Sequence, residues 1–218
     1  MRLDIYSDTI CPWCFVGKRR LERALALRPQ ADLTIQWRAF QLNPGMPAEG
    51  MNRREYLEVK FGGPDRAARI YEAVRQAGES EGIAFDFSRI RRTPNTFESH
   101  RLLRHAHHVG RQTEMLEALF QAYFLTGADI GDRAVLLDCA GQAGLDAAEA
   151  ERFLDGDGEM ETTLAEDRLA RRQGINGVPC FIFNGRFALS GAQPPEALLQ
   201  LLDLADVDDA QQLEVASR

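Results

Sequence analysis

The chain has 218 residues, of which 44% are hydrophobic and 27% charged, with a formal net charge of −7. That balance belongs to a globular protein with ample apolar content for a core, and the acidic net charge argues against a nucleic-acid partner. No stretch reaches the roughly 18 to 20 apolar residues needed to cross a bilayer, so no membrane partner is expected either.

The first segment, Arg2-Leu3-Asp4-Ile5-Tyr6, alternates as a short strand. It is reached with no apolar leader ahead of it, and from this a cytoplasmic location is expected. Ser7 to Ile10 reads as a loop, and Cys11-Pro12-Trp13-Cys14 then opens a helix. Pro12 suits the first turn, where its missing N–H costs nothing. The helix continues through "FVGKRRLERALAL", with Phe15, Leu21 and Leu25 available for a buried face. Four cysteines are too few for a disulfide scaffold in a chain of this size. A zinc site would need two ligands beyond Cys11 and Cys14. The sequence offers Cys139, Cys180 and histidines 100, 105, 107 and 108, with no second close cysteine pair. A purely structural bridge between cysteines so close together would constrain little chain. Redox chemistry is therefore the leading reading. At a helix N-terminus, unpaired backbone N–H groups and the positive end of the dipole favour a thiolate, which makes Cys11 the nucleophile. Cys14, nearly one turn further in, can reach the same sulfur from a more shielded place and suits the resolving role.

"ADLTIQWRAFQL" alternates as a central strand, and "NPGMPAEG" breaks it. Helices are expected near 52–60, 65–81, 96–109, 112–126, 132–143 and 146–155. Met115, Leu116, Leu119, Phe120 and Tyr123 would lie in the core, and Asp132 and Asp146 would be N-caps. "GDGEMETTLAEDRLARRQ" begins a returning helix. Cys180 to Phe183 and Arg186 to Leu189 read as strands joined by a tight Asn184-Gly185 turn, and a last helix lies around Glu196 to Leu204. The order of strand, CxxC helix, strand, helix, hairpin and helix is that of a thioredoxin-like unit, with Pro179 as the candidate cis-proline. The expected fold class is α/β, a thioredoxin-like fold with a large all-helical insertion domain. Residues 1–43 and 158–205 would form the thioredoxin-like domain, 44–157 the insertion, and 206–218 a flexible acidic tail. Lys18-Arg19-Arg20 and Arg89, Arg91, Arg92 read as solvated surface.

The segments "CPWCFVGKRRLE", "WRAFQLNPGMP", "PNTFESHRLLRHA", "LFQAYFLTGADIGD" and "GINGVPCFIFNGRFALSGAQ" together resemble the FrnE-like branch of the DsbA thioredoxin-fold family, from about Leu3 to Leu204. The resemblance implies thiol–disulfide oxidoreductase activity, with Cys11 attacking and Cys14 resolving. It also implies that Val178-Pro179 forms the cis-proline turn facing them, where the Val178 backbone pairs with a bound peptide or glutathione as an added strand. No bound cofactor is expected beyond the redox-active pair, and glutathione is a possible reductant or substrate. The partners would be protein or small-molecule thiols and disulfides; monomer and homodimer stay open. Hydroxychromene-carboxylate isomerases and kappa-class glutathione transferases have a similar insertion-bearing fold, but typically carry a single serine where Cys11 stands and lack a resolving cysteine. A third reading is a non-catalytic polypeptide-binding module, in which the cysteines would be dispensable.

Trp13 either flanks the disulfide as an apolar substrate contact, as does Pro12 beside it, or packs against the helical domain. Cys139, in "AVLLDCAGQAG", reads as a small core residue. Cys180 reads as a buried thiol, although its place beside Pro179 would let it approach the active pair. His105, His107 and His108 suit a solvated helix face. On the resemblance, Asn95 and His100 line the mouth of the site. If they contact substrate, Asn95→Ala and His100→Ala will each change the steady-state kinetics of disulfide exchange, and unaltered kcat/KM would remove them from the site.

Overall fold

The computed structural model describes residues 1–216, with side chains to residue 207. In chain order, β1 (Arg2–Ser7) leads into α1 (Pro12–Leu27) and β2 (Thr34–Ala39). A helical segment follows: β3 (Met51–Asn52), α2 (Arg53–Phe61), α3 (Pro64–Ser80), β4 (Arg92–Thr93), α4 (Phe97–His108), α5 (Gln112–Gln121), α6 (Arg133–Gln142) and α7 (Ala147–Asp155). Then come α8 (Met160–Arg172), β5 (Cys180–Phe183), β6 (Phe187–Ser190) and α9 (Pro195–Ala216). This is an α/β thioredoxin-like fold with its helical insertion between β2 and α8. No described helix is long and apolar enough to cross a membrane.

The main sheet has the order β2-β1-β5-β6. β1 and β2 run parallel, while β5 is antiparallel to β1 and β6 to β5. Strand alternation sorts the side chains between two faces. Leu3 and Ile5 stand opposite Phe183 and Phe181, and all four join the main core with Phe15, Val16 and Leu21 of α1. Tyr6 stands opposite Cys180, and this pair joins a smaller cluster with Phe40, Ala170 and Ile175 on the other face. The β5–β6 turn has Asn184 at φ 51° and Gly185 at φ 68°, the left-handed pair that a type I′ hairpin requires.

The insertion is clamped to α1 by aromatic packing and by charge. Phe15 stacks on Phe120 at 5.0 Å and meets Phe85 edge-on at 5.9 Å; such pairs contribute roughly 0.5–1.5 kcal/mol each beyond their buried area. Lys18, expected on a solvated patch, is instead only 3% exposed. Its ammonium lies between Glu22 of its own helix and Glu117 of α5, and Arg19 also binds Glu117. Arg20 is likewise spent on Glu81 and on the Ala192 carbonyl. The sequence shows a run of three cations with one carboxylate, Glu22, within reach on the same helix; tertiary contact supplies the others, Glu117 and Glu81. On the opposite side of the sheet Glu166 of α8 accepts from the Ala39 N–H at 3.0 Å and from Arg38, and Arg104 of α4 binds the same carboxylate. Strand β2, α4 and α8 are thereby tied at one buried point.

The expected helices of the insertion form, and Asp132 and Asp146 cap α6 and α7 by accepting backbone N–H bonds. Four details differ. The pair β3–β4 was not foreseen, because two residues per strand carry no periodicity. Helix α5 passes into a π-helical turn at Ala122–Thr126. Strand β6 starts one residue later than read, at Phe187. Finally, α9 runs on to Ala216 through much of the stretch read as a frayed tail; Ser217 and Arg218 lie outside the described residues.

Burial works to raise the Glu117 carboxyl, but bonds from Arg19, Lys18 and Gln121 outweigh it and hold the group at about 2, below its ordinary 4.5. A carboxyl depressed by folding contributes stability that is complete above the unfolded value and lost as pH falls toward the folded one. Glu117→Gln should therefore destabilise the protein by about 1–3 kcal/mol at neutral pH, with the difference shrinking as pH falls from 4.5 toward 2. Urea midpoints measured at both ends of that window check this, and an equal loss at both would contradict it.

Candidate active site

Cys11 is the N-cap residue of α1 (φ −91°, ψ 110°), Pro12 begins the helix, and no side chain caps it. The Cys11 N–H donates to the Asp8 carbonyl and the Cys14 N–H to the Cys11 carbonyl, each at 3.0 Å. These turns set Cys11 at the end of the helix and Cys14 beneath it. Both thiols are free and both are buried, Cys11 at 4% exposure and Cys14 at 0%. The Cys11 thiol donates to the Val178 carbonyl at 3.5 Å. The Val178–Pro179 peptide is cis, so the carbonyl that precedes the cis-proline faces the outer sulfur. Pro12, Trp13 and Val178 are half-buried, and Trp13 and Val178 also pack against the core. Trp13 is thus partly packed, as one of the two readings expects, and partly exposed.

Helix α1 can approach Pro179 this closely because residue 17 is glycine. A Cβ there would lie 2.9 Å from Pro179 Cγ and 3.3 Å from Phe181 Cζ, inside normal contact distance. Nothing in the residues around Gly17 announces that role, which depends on a strand more than a hundred residues away in the chain.

Burial is the largest cause pushing the Cys14 thiol well above its ordinary value, and the adjoining Cys11 sulfur adds to it. The Ser7 hydroxyl and the Asp8 backbone act in the opposite direction without cancelling it. The inner cysteine is thereby favoured as a neutral thiol. Asp8, read in the sequence as an ordinary loop residue, is wholly buried. Its carboxylate accepts from the Leu42 N–H at 2.6 Å and from the Ile10 N–H at 3.4 Å. It therefore ties the loop before Cys11 to the end of β2. A carboxylate three residues ahead of the N-cap cysteine was the available signal.

His100 lies inside the protein at 2% exposure, with Nε2 3.5 Å from Asp8 Oδ1, rather than on the rim of the site. Asn95 is half-buried, and its side chain accepts from the Phe97 N–H and donates to the Met46 carbonyl. Asn95 thus ties the loop at Met46 to the start of α4, and His100 faces the loop that precedes Cys11. Cys180 points away from that pair: its neighbour Phe181 faces α1, so alternation turns Cys180 to the opposite face beside Tyr6. Cys139 is buried in α6, 3.7 Å from the Ala118 carbonyl. Of the three remaining histidines, His105 is not solvated as read but stacks on Phe153, while His108 meets Glu159 at 2.7 Å.

A four-stranded mixed sheet, a CxxC pair at a helix N-terminus and a cis-proline turn opposite it define a thioredoxin-fold protein. Residues 2–203 match the DSBA-like thioredoxin domain, and the chain belongs to that family. It is similar to a probable DsbA oxidoreductase, SCO1869, from Streptomyces coelicolor, at 34% identity and a TM-score of 0.86 over 94% of this chain and 89% of that one. It is 26% identical to the uncharacterised protein YwbO of Bacillus subtilis (strain 168) over 88% of this chain and 90% of that protein. The cytosolic disulfide reductase DsbM of Pseudomonas aeruginosa, solved with GSH, shares the fold at 20% identity and a TM-score of 0.65, over 97% and 99% of the two chains.

Burial also raises the Cys139 thiol to about 11 and raises that of Cys180. Brief alkylation of the native dithiol protein near pH 7.5 should thus spare Cys139 and Cys180, since the thiolate is the reacting species. Labelling of Cys139 should grow only as pH climbs toward 11. Peptide masses read the outcome, and early labelling of Cys180 would contradict the burial described.

Proposed function

We propose that the protein is a thiol–disulfide oxidoreductase that cycles Cys11 and Cys14 between dithiol and disulfide. The observation that carries this reading is the placement of Cys11 Sγ, at the helix end and 3.5 Å from the Val178 carbonyl. An extended substrate segment can pair with that carbonyl as an added strand, which brings its own sulfur to Cys11. Family membership and the likeness to SCO1869 support the same class of chemistry.

In the oxidising direction a substrate thiolate attacks Cys11 of the disulfide, the Cys11–Cys14 bond breaks, and Cys14 leaves and takes up a proton. A raised thiol is the poorer leaving group, so the buried setting of Cys14 does not speed this departure; once Cys14 is protonated, the same setting favours the neutral thiol and hinders its attack back on Cys11. A second substrate thiolate then attacks the substrate sulfur and Cys11 leaves, so that two substrate thiols have become a disulfide and two protein thiols are formed. In the reducing direction Cys11 attacks a substrate disulfide, and Cys14, once deprotonated, attacks Cys11 and releases the second substrate thiol. The raised Cys14 value makes this last step the one that accelerates with pH. Glutathione, which DsbM was solved with, is a reasonable small thiol for either direction. The FrnE-like branch is the assignment within the family that we favour.

The test is equilibration in glutathione redox buffers in a Cys139→Ala, Cys180→Ala background, with trapped thiols counted by mass. A reversible two-thiol couple is expected. Cys14→Ser should accumulate a mixed disulfide on Cys11, and Cys11→Ser should abolish exchange. A pair that never forms a disulfide would end the oxidoreductase reading in favour of a glutathione-dependent isomerase or a binding module.

A further inference from the structure

We propose that a pocket between α2, α3 and the segment after α3 is a binding site for a small carboxylate with an apolar body, and that Arg53 holds its charge. The pocket has a volume of about 290 Å³, near the lower end for small-molecule sites. Its walls are mostly apolar: Leu57 from α2, Pro64, Ala67 and Tyr71 from α3, and Phe87. Tyr71 and Phe87 stack at 4.5 Å, which gives the cavity a stiff aromatic side.

The charge at this site is what sets it apart. Arg53 donates to the hydroxyls of Tyr71 at 2.7 Å, Thr93 at 3.0 Å and Tyr123 at 3.4 Å. Its guanidinium also lies 5.4 Å from the ring centres of both Tyr56 and Tyr71. Among the described residues it meets no carboxylate. Comparable arginines elsewhere are neutralised: Arg38 by Asp4 and Glu166, Arg104 by Glu159 and Glu166, and Arg101 by Glu98. The other charges lining the pocket, Glu72 and Arg75, are paired with each other at 2.7 Å. One uncompensated positive charge therefore borders the cavity, partly desolvated and fixed in direction by three hydroxyls.

A partly buried guanidinium without an anion loses hydration and regains only neutral acceptors, a poor exchange that a carboxylate would correct through charge-assisted bonds. The planar fork suits a carboxylate, and the aromatic and aliphatic walls suit a hydrocarbon body rather than a second charge. A neutral ligand would leave Arg53 as it is, and a larger polyanion would not fit the volume. The proposal concerns binding and stands whether or not the cysteine pair is redox-active.

The experiment titrates the full-length protein with 3-phenylpropionate and, separately, with the uncharged 3-phenylpropan-1-ol, following backbone amide NMR shifts. The acid is expected to bind at least about tenfold more tightly than the alcohol, with shifts centred on Leu57, Ala67 and Tyr71. Arg53→Met should bring the ratio to about one, and Arg53→Lys should keep a weaker preference for the acid. Equal affinity of the two probes for the unaltered protein, no binding of the acid, or shifts centred elsewhere would overturn the proposal. The comparison of probes on the unaltered protein decides the matter even if an Arg53 variant folds poorly.

Discussion

The close contact of α1 with the turn at Pro179 is the constraint on which the site depends. Gly17 leaves no room for a Cβ between the helix and the ring, and that contact holds the helix end at the distance where Cys11 Sγ meets the Val178 carbonyl. A side chain at residue 17 would push the two elements apart or displace the proline, because packed interiors have little slack. The chemistry proposed for Cys11 rests on this geometry, since a helix-end sulfur acts on substrate only where an extended segment can lie beside it.

The rest of the molecule keeps α1 in that position. From one side the insertion presses aromatic rings onto Phe15 and pairs its Glu117 with Lys18 and Arg19. From the other side of the sheet, Glu166 gathers Arg38, Arg104 and the Ala39 N–H. Buried charges of this kind contribute little when replaced as a pair but cost several kcal/mol when one member is removed. They act here chiefly as locators, fixing which helix faces which strand. Asp8 does the same at short range, joining the loop before Cys11 to Leu42.

What could be read in advance was local in the chain. Cys11, Pro12 and Cys14 announce a helix end with two thiols, and Asn184-Gly185 announces its own turn. Asp132 and Asp146 cap the helices that follow them. Less legible were residues whose meaning lies in a distant partner. Lys18 looks like a surface cation until Glu117 is brought to it, and His100 looks like a rim residue until Asp8 is found facing it. Cys180 shows both cases at once: its neighbour Pro179 suggested closeness to the active pair, whereas strand alternation turns it away.

By itself the sequence determined the order of the helices and of the main-sheet strands, the thioredoxin-like class and the candidate cysteine pair, because periodicity, capping and turn chemistry act over a few residues. Tertiary structure alone decided that Gly17 meets Pro179, that Asp8 and Lys18 are buried, and that Arg53 borders a cavity where no carboxylate among the described residues meets it. The physical reason is the same for each. Burial and electrostatic pairing are properties of neighbours in space, and those neighbours come from segments that chain-local patterns do not connect.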